Sequence, residues 1–282
     1  MGKPGFLGKL FNLVTGKQDG LLVKPMAIMS DNSNTLAVLD QGNQSVVEMN
    51  LSTHEYHSYR HPECQSLISL AALPDGRTLF TDSQLNTILV RKPSMKKSTI
   101  FNKQQPLMRP TGIIFSEVNQ LVYVAETAAH RLSVFDTAGH FIKTIGQHGT
   151  KPGEFNFPTF LTTDDSGNLY IVDSMNFRVQ KMNLQNENFS CFGKNGDGSG
   201  DFARPKGIAC DSFGHIYVVD ALFHNVQIFD NAGNFLERFG QQGTQDGEFW
   251  LPTGIFINSD NQIYIADSYN ARFQIFQLER NN

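Results

Sequence analysis

The sequence predicts an all-β fold, a six-bladed β-propeller of four-stranded antiparallel blades in which an N-terminal strand completes the last blade. Three observations predict it. One segment recurs six times at intervals of roughly 45 residues; every copy reads as short β-rich stretches separated by turns; and the first residues supply the strand that the last copy lacks.

The first copy is KPMAIMSDNSNTLAVLDQGNQSVVEMN from Lys24, and the second is SLISLAALPDGRTLFTDSQLNTILVRK from Ser66. Both are divergent. The third, RPTGIIFSEVNQLVYVAETAAHRLSVFD from Arg109, carries one inserted residue. The fourth, fifth and sixth align without gaps over most of their length: FPTFLTTDDSGNLYIVDSMNFRVQKMN from Phe157, RPKGIACDSFGHIYVVDALFHNVQIFD from Arg204 and LPTGIFINSDNQIYIADSYNARFQIFQ from Leu251. An acid marks each copy, as Asp40, Asp82, Glu126, Asp173, Asp220 and Asp267, at spacings of 42, 44, 47, 47 and 47. A proline stands 15 or 16 residues upstream in five copies, and Leu67 takes that place in the second. Turns such as DSGN from Asp165 and LPDG from Leu73 separate the first two strands, because Gly and Asn tolerate positive φ. A single blade exposes two apolar faces, so the copies must stack to be stable. The predicted blades of this single domain, 1–282, are 21–62, 63–105, 106–150, 151–197, 198–244 and 245–282, with a closing strand at 7–14.

The closing strand follows from the ends. The last copy stops after its third strand, near Leu278, while sequence to spare precedes the first. GKQDG at Gly16–Gly20 matches GTQDG at Gly243–Gly247, each at the same distance before a proline. Residues Leu10–Val14 therefore fall at the fourth-strand position, and pairing them removes an open edge. The competing reading is an amphipathic membrane-surface helix, since Phe6, Leu10 and Leu13 also fit helical spacing.

A net charge of −4 predicts no polyanionic partner for the molecule as a whole, although a local patch is compatible with it. Cys64, Cys191 and Cys210 are scattered and odd in number, which argues against a disulfide framework or a zinc site. No apolar run reaches membrane-span length. As written, the sequence reads as cytoplasmic, and a trimmed leader would make it periplasmic.

The Pro-Xaa-Gly first strand, the second strands of the QIYIAD type and third strands such as HRLSVFD from His130 and FRVQKMN from Phe177 resemble the NHL repeat. The resemblance covers essentially the whole chain and is weakest in the first two copies. It implies that the loops before the first strand and between the second and third strands share one face, here termed the top face. Lys24, Arg109 and Arg204 precede the blade prolines, Lys206 follows one, and Arg178 and Arg272 sit in the other loops with Arg131, His130 and His224. Such cations suit an anion, a carboxylate-rich peptide or a nucleic-acid backbone. Thr111, Thr159 and Thr253 would add hydroxyls near the mouth, and Trp250 a surface aromatic. A structural role competes at three of these positions: Arg131, Arg178 and Arg272 each follow the blade acid by five residues, a spacing suited to an internal ion pair. Phe155, Phe202 and Phe249 recur at one repeat position and read as inter-blade packing.

The family's amidating lyases bind zinc through His directly after the blade proline. Those positions here are Met26, Thr111, Thr159, Lys206 and Thr253, so that site is missing, and no cofactor is expected. The expected function is a non-catalytic scaffold, monomeric, whose top face and channel mouth bind a protein, a peptide or a small anionic ligand. A metal-dependent hydrolase or lyase is the first alternative, and single-stranded RNA binding the second.

Overall fold

A computed structural model describes residues 11–15, 21–30, 35–53, 55–60, 64–92 and 97–277. Among these, 24 strands form six antiparallel four-stranded sheets, and three single 3₁₀ turns are the only helical segments. The third blade is typical: Pro110–Ser116, Leu121–Glu126, Arg131–Phe135 and Phe141–Ile145 follow one another from the inside outward. Its second strand is almost wholly buried, because neighbouring blades cover both of its faces. That burial explains why the second strands lack an alternation of polar and apolar residues.

One apolar cluster fills each blade interface. Phe155, Phe202 and Phe249, all fully buried, lie in the clusters between blades three and four, four and five, and five and six. Leu36, Val38 and Val47 of the first blade pack with Tyr264, Phe273 and Ile275 of the last, so the ring is closed. Inner strands approach backbone to backbone at the Pro-Xaa-Gly glycines. A Cβ on Gly112, Gly207 or Gly254 would stand 2.3–2.4 Å from the carbonyl oxygen of Thr159, Thr253 or Met26.

Phe11–Thr15 pairs antiparallel with Arg272–Gln277, from Phe11 opposite Gln277 to Thr15 opposite Gln274, and completes the last sheet. These residues are a strand, not the competing helix; positions 7–10 of the expected closing segment lie outside the described residues. Pairing of Pro25 with Asp40, Leu67 with Asp82, Pro110 with Glu126, Pro158 with Asp173 and Pro205 with Asp220 puts the start of the first strand beside the end of the second. In these five blades the acid therefore shares one end with the start of the first strand, the top face. Among the described residues no helix is long and apolar enough to cross a membrane.

Candidate functional site

The six blade acids are fully buried and organise the top-face loops in two ways. In blades one, two and five the acid accepts backbone N–H groups. Asp220, for example, takes those of Ala203, Arg204, Leu222 and Phe223. In blades three, four and six an arginine five residues on supplies a charged partner: Arg131 Nε donates to Glu126 at 2.8 Å, Arg178 Nε to Asp173 at 2.8 Å and Arg272 Nε to Asp267 at 2.7 Å. Here the residue before the proline adopts a left-handed backbone, at Arg109, Phe157 and Leu251. Its N–H then turns to the preceding blade, reaching Asn86 Oδ1, His130 Nδ1 and His224 Nδ1 at 2.7, 3.1 and 3.0 Å. As acceptors, His130 and His224 act in their neutral forms, and burial lowers the pKa of both.

This architecture sorts the predicted site residues. Arg178 and Arg272 direct their remaining donors to the carbonyls of Thr150, Lys151 and Glu154, and of Gln245 and Glu248. Both brace loops inside the fold, which is the structural alternative to ligand binding. Trp250 is exposed and lies 6.1 Å from Tyr269, ring centre to ring centre, on the outer rim. The threonine hydroxyls are engaged. Thr111 donates to Thr127 at 2.7 Å, Thr159 to Ser174 at 2.8 Å and Thr253 to Ser268 at 2.6 Å, and the Thr111 and Thr253 hydroxyls also lie 3.1 Å from Thr159 O and Met26 O. Thr127, Ser174 and Ser268 in turn donate to the proline carbonyls of the next blades, Pro158, Pro205 and Pro25. These hydroxyl pairs latch blade to blade around the axis.

A cup of about 540 Å³ opens at the top of the inner strands. Five predicted residues line it: Arg109, Thr111, Thr159, Arg204 and Lys206. Burial pushes the Lys206 ammonium down to about 8, and Arg204, Arg109 and Lys24 add repulsion in that order. Three cations thus act on Lys206. Among the described residues none of the four forms an ion pair with a carboxylate. Lys24, Thr253, Trp250, Arg178 and Arg272 lie outside the cup's lining.

The apolar wall was not anticipated from sequence. Met26, Ile68, Phe157, Phe160, Met175 and Phe177 line the cup beside the cations. One signal was present: Met26 and Ile68 hold the same repeat position as Thr111, Thr159, Lys206 and Thr253, one residue per blade around the axis. The rim beyond is apolar too, with Phe157, Met175, Leu222, Trp250 and Tyr269 exposed.

The opposite end of the inner strands carries a second cavity of about 400 Å³ bearing Asp164, Asp165 and Asp211. Asp164 and Asp211 are committed to their turns: Asp211 accepts from the Phe213 and His215 amides and from Tyr217 Oη, and its carboxylate lies 2.7 Å from His215 Nδ1. Among the described residues no three His, Cys, Asp or Glu side chains gather as a metal site.

Fold and cup define a ring-shaped β-propeller with a cationic, apolar-walled recess at the mouth of its axis. The chain belongs to a family described as a 6-bladed beta-propeller, whose model matches residues 107–192 and 202–281. Among solved structures it is similar to an auxiliary nutrient binding protein from Bacteroides ovatus, with 13% identity, a TM-score of 0.74, and coverage of 98% of this chain and 76% of that one. A protein of unknown function from Bacteroides thetaiotaomicron gives 16% identity and a TM-score of 0.73 over 96% of this chain and 72% of that one. Virginiamycin B lyase from Staphylococcus aureus gives 15% identity and a TM-score of 0.66 over 96% of this chain and 99% of the lyase. At these identities the likeness is one of fold.

Proposed function

We propose that this protein is a non-catalytic binding scaffold of the NHL-repeat type whose top-face cup takes a ligand with one anionic end and one apolar end. The observation that carries the reading is Arg109, Arg204 and Lys206 lining one recess without a carboxylate partner against an apolar wall, with Lys24 near enough to add repulsion on Lys206. Lys206 is largely withdrawn from water with no counter-ion, which is costly, so its place beside the exposed Arg109 and Arg204 is better explained by an anion that arrives with the ligand than by stability. The apolar wall adds affinity for the remainder of the ligand. The nutrient-binding description of one structural neighbour agrees with this class of function.

A second reading, docking of a partner protein over the mouth, draws on the exposed rim of Phe157, Met175, Leu222, Trp250 and Tyr269. Exposed aromatic and apolar side chains around a polar centre are a feature of interaction surfaces.

Titration with 8-anilinonaphthalene-1-sulfonate, which joins a sulfonate to aromatic rings, tests the first reading. The expected result is saturable binding that Arg109→Glu with Arg204→Glu weakens at least ~10-fold, as loss of about 1.4 kcal/mol of attraction requires. Both side chains are exposed, so the melting temperature should hold. Unchanged affinity in the folded double variant refutes the reading.

A further inference from the structure

The fifth blade departs from the hydroxyl latches of blades three, four and six. In blades three, four and six the residue after the proline is Thr, and its partner just after the blade acid is Thr127, Ser174 or Ser268. In blade five these two positions are Lys206 and Ala221. An amine and a methyl group replace a hydrogen-bonded hydroxyl pair. Lys206 lines the cup with Arg109, Arg204 and the apolar wall, and among the described residues its ammonium has no carboxylate partner. The side chain therefore does none of the latching that blades three, four and six make at this place; blades one and two, with Met26 and Ile68 there, lack it as well, but only blade five puts an amine into the cup.

We propose that Lys206 is a reactive amine that forms a reversible imine with 2-oxo acids held in the cup. The proposal rests on the anion-binding reading above. Arg109 and Arg204 engage the carboxylate, and the wall of Met26, Ile68, Phe160 and Phe177 takes the side chain of the acid. The neutral Nζ then attacks the adjacent carbonyl carbon. Its electron pair forms the C–N bond, the carbonyl π pair moves to oxygen, and a proton passes from nitrogen to that oxygen to give a carbinolamine. Departure of water leaves the C=N bond, and nothing is oxidised or reduced. Burial and neighbouring cations favour the neutral amine, the same means by which other lysines become nucleophiles.

The test treats the full chain with 4-methyl-2-oxopentanoate and sodium cyanoborohydride, then maps adducts by peptide mass spectrometry. The expected result is modification at Lys206 at least ~10-fold faster than at any exposed lysine, because near pH 8 about half of its amine is neutral. Excess 4-methylpentanoate, which has the carboxylate but no carbonyl, should slow it. Lys206→Arg should abolish that adduct, and displacement of anilinonaphthalene sulfonate by 4-methylpentanoate from the native chain reads carboxylate binding separately. Adducts spread over surface lysines with no excess at Lys206 overturn the proposal. If 4-methylpentanoate still binds in that event, the anion-binding reading stands and only the imine falls; if the carboxylate fails to bind in every variant, the anion-binding reading falls with it.

Discussion

Replacing Lys206 by Met should stabilise the folded protein. The amine titrates at about 8 instead of its ordinary 10.5. At about 1.4 kcal/mol per tenfold change, that displacement means the charged form costs the native state about 3 kcal/mol. Lys206 keeps partial contact with solvent, which reduces the expected effect to about 2 kcal/mol. The sign follows from proton linkage. Between about 8 and 10.5 the unfolded chain holds the proton and the native state does not, so stability rises with pH across that window. Below it both states are charged and the full cost applies. Methionine is chosen because Met26 occupies the equivalent position in the first blade. Urea unfolding at a series of pH values is the assay. Lys206→Met should exceed the native protein by about 2 kcal/mol near neutrality, with the gap closing towards pH ~10. A variant less stable than the native protein near neutrality, or a gap independent of pH, would refute the argument that these cations lack a counter-charge.

Three other substitutions separate bracing from binding. Arg272→Ala removes the charged partner of fully buried Asp267 and two loop ties, so urea unfolding should report a loss of about 3–5 kcal/mol with anilinonaphthalene sulfonate affinity unchanged in the folded fraction. Gly207→Ala forces a Cβ to 2.4 Å from Thr253 O at the closest approach of two inner strands. A thermal melt should show destabilisation of about 3 kcal/mol or more. His224→Asn should retain the latch to the Leu251 amide, as Asn86 does for Arg109, but lose its titration. Burial holds His224 below its ordinary 6.5, so the native protein loses stability as pH falls below that value, and the Asn variant should show a shallower decline in its urea midpoints.

The structural neighbours include a nutrient-binding description, a lyase and a protein of unknown function, so likeness of fold does not assign a function. For this chain the divergence between blades is more informative than their likeness. Three blades neutralise their acid with arginine and three with backbone amides, and the spacing of five residues to Arg131, Arg178 or Arg272 distinguishes them in the sequence. The second group includes Lys24 and Arg204, whose backbones serve the acid while their side chains stay clear of it.

The sequence by itself determined the fold: the recurring acid, the blade prolines, the Pro-Xaa-Gly glycines and the matched GKQDG and GTQDG segments specify a repeat and its closure. Those signals are local or periodic, so they survive without knowledge of distance. Cations before Pro25, Pro110 and Pro205 were legible for the same reason. Only the tertiary structure decided that the hydroxyls of Thr111, Thr159 and Thr253 are consumed between blades, that Arg178 and Arg272 face inward, and that Met26, Ile68 and Phe160 form a wall opposite Arg109 and Arg204. Each of these depends on which atoms meet between loops and between blades in the folded ring, and a repeat pattern fixes the positions in the ring without fixing what each side chain finds there.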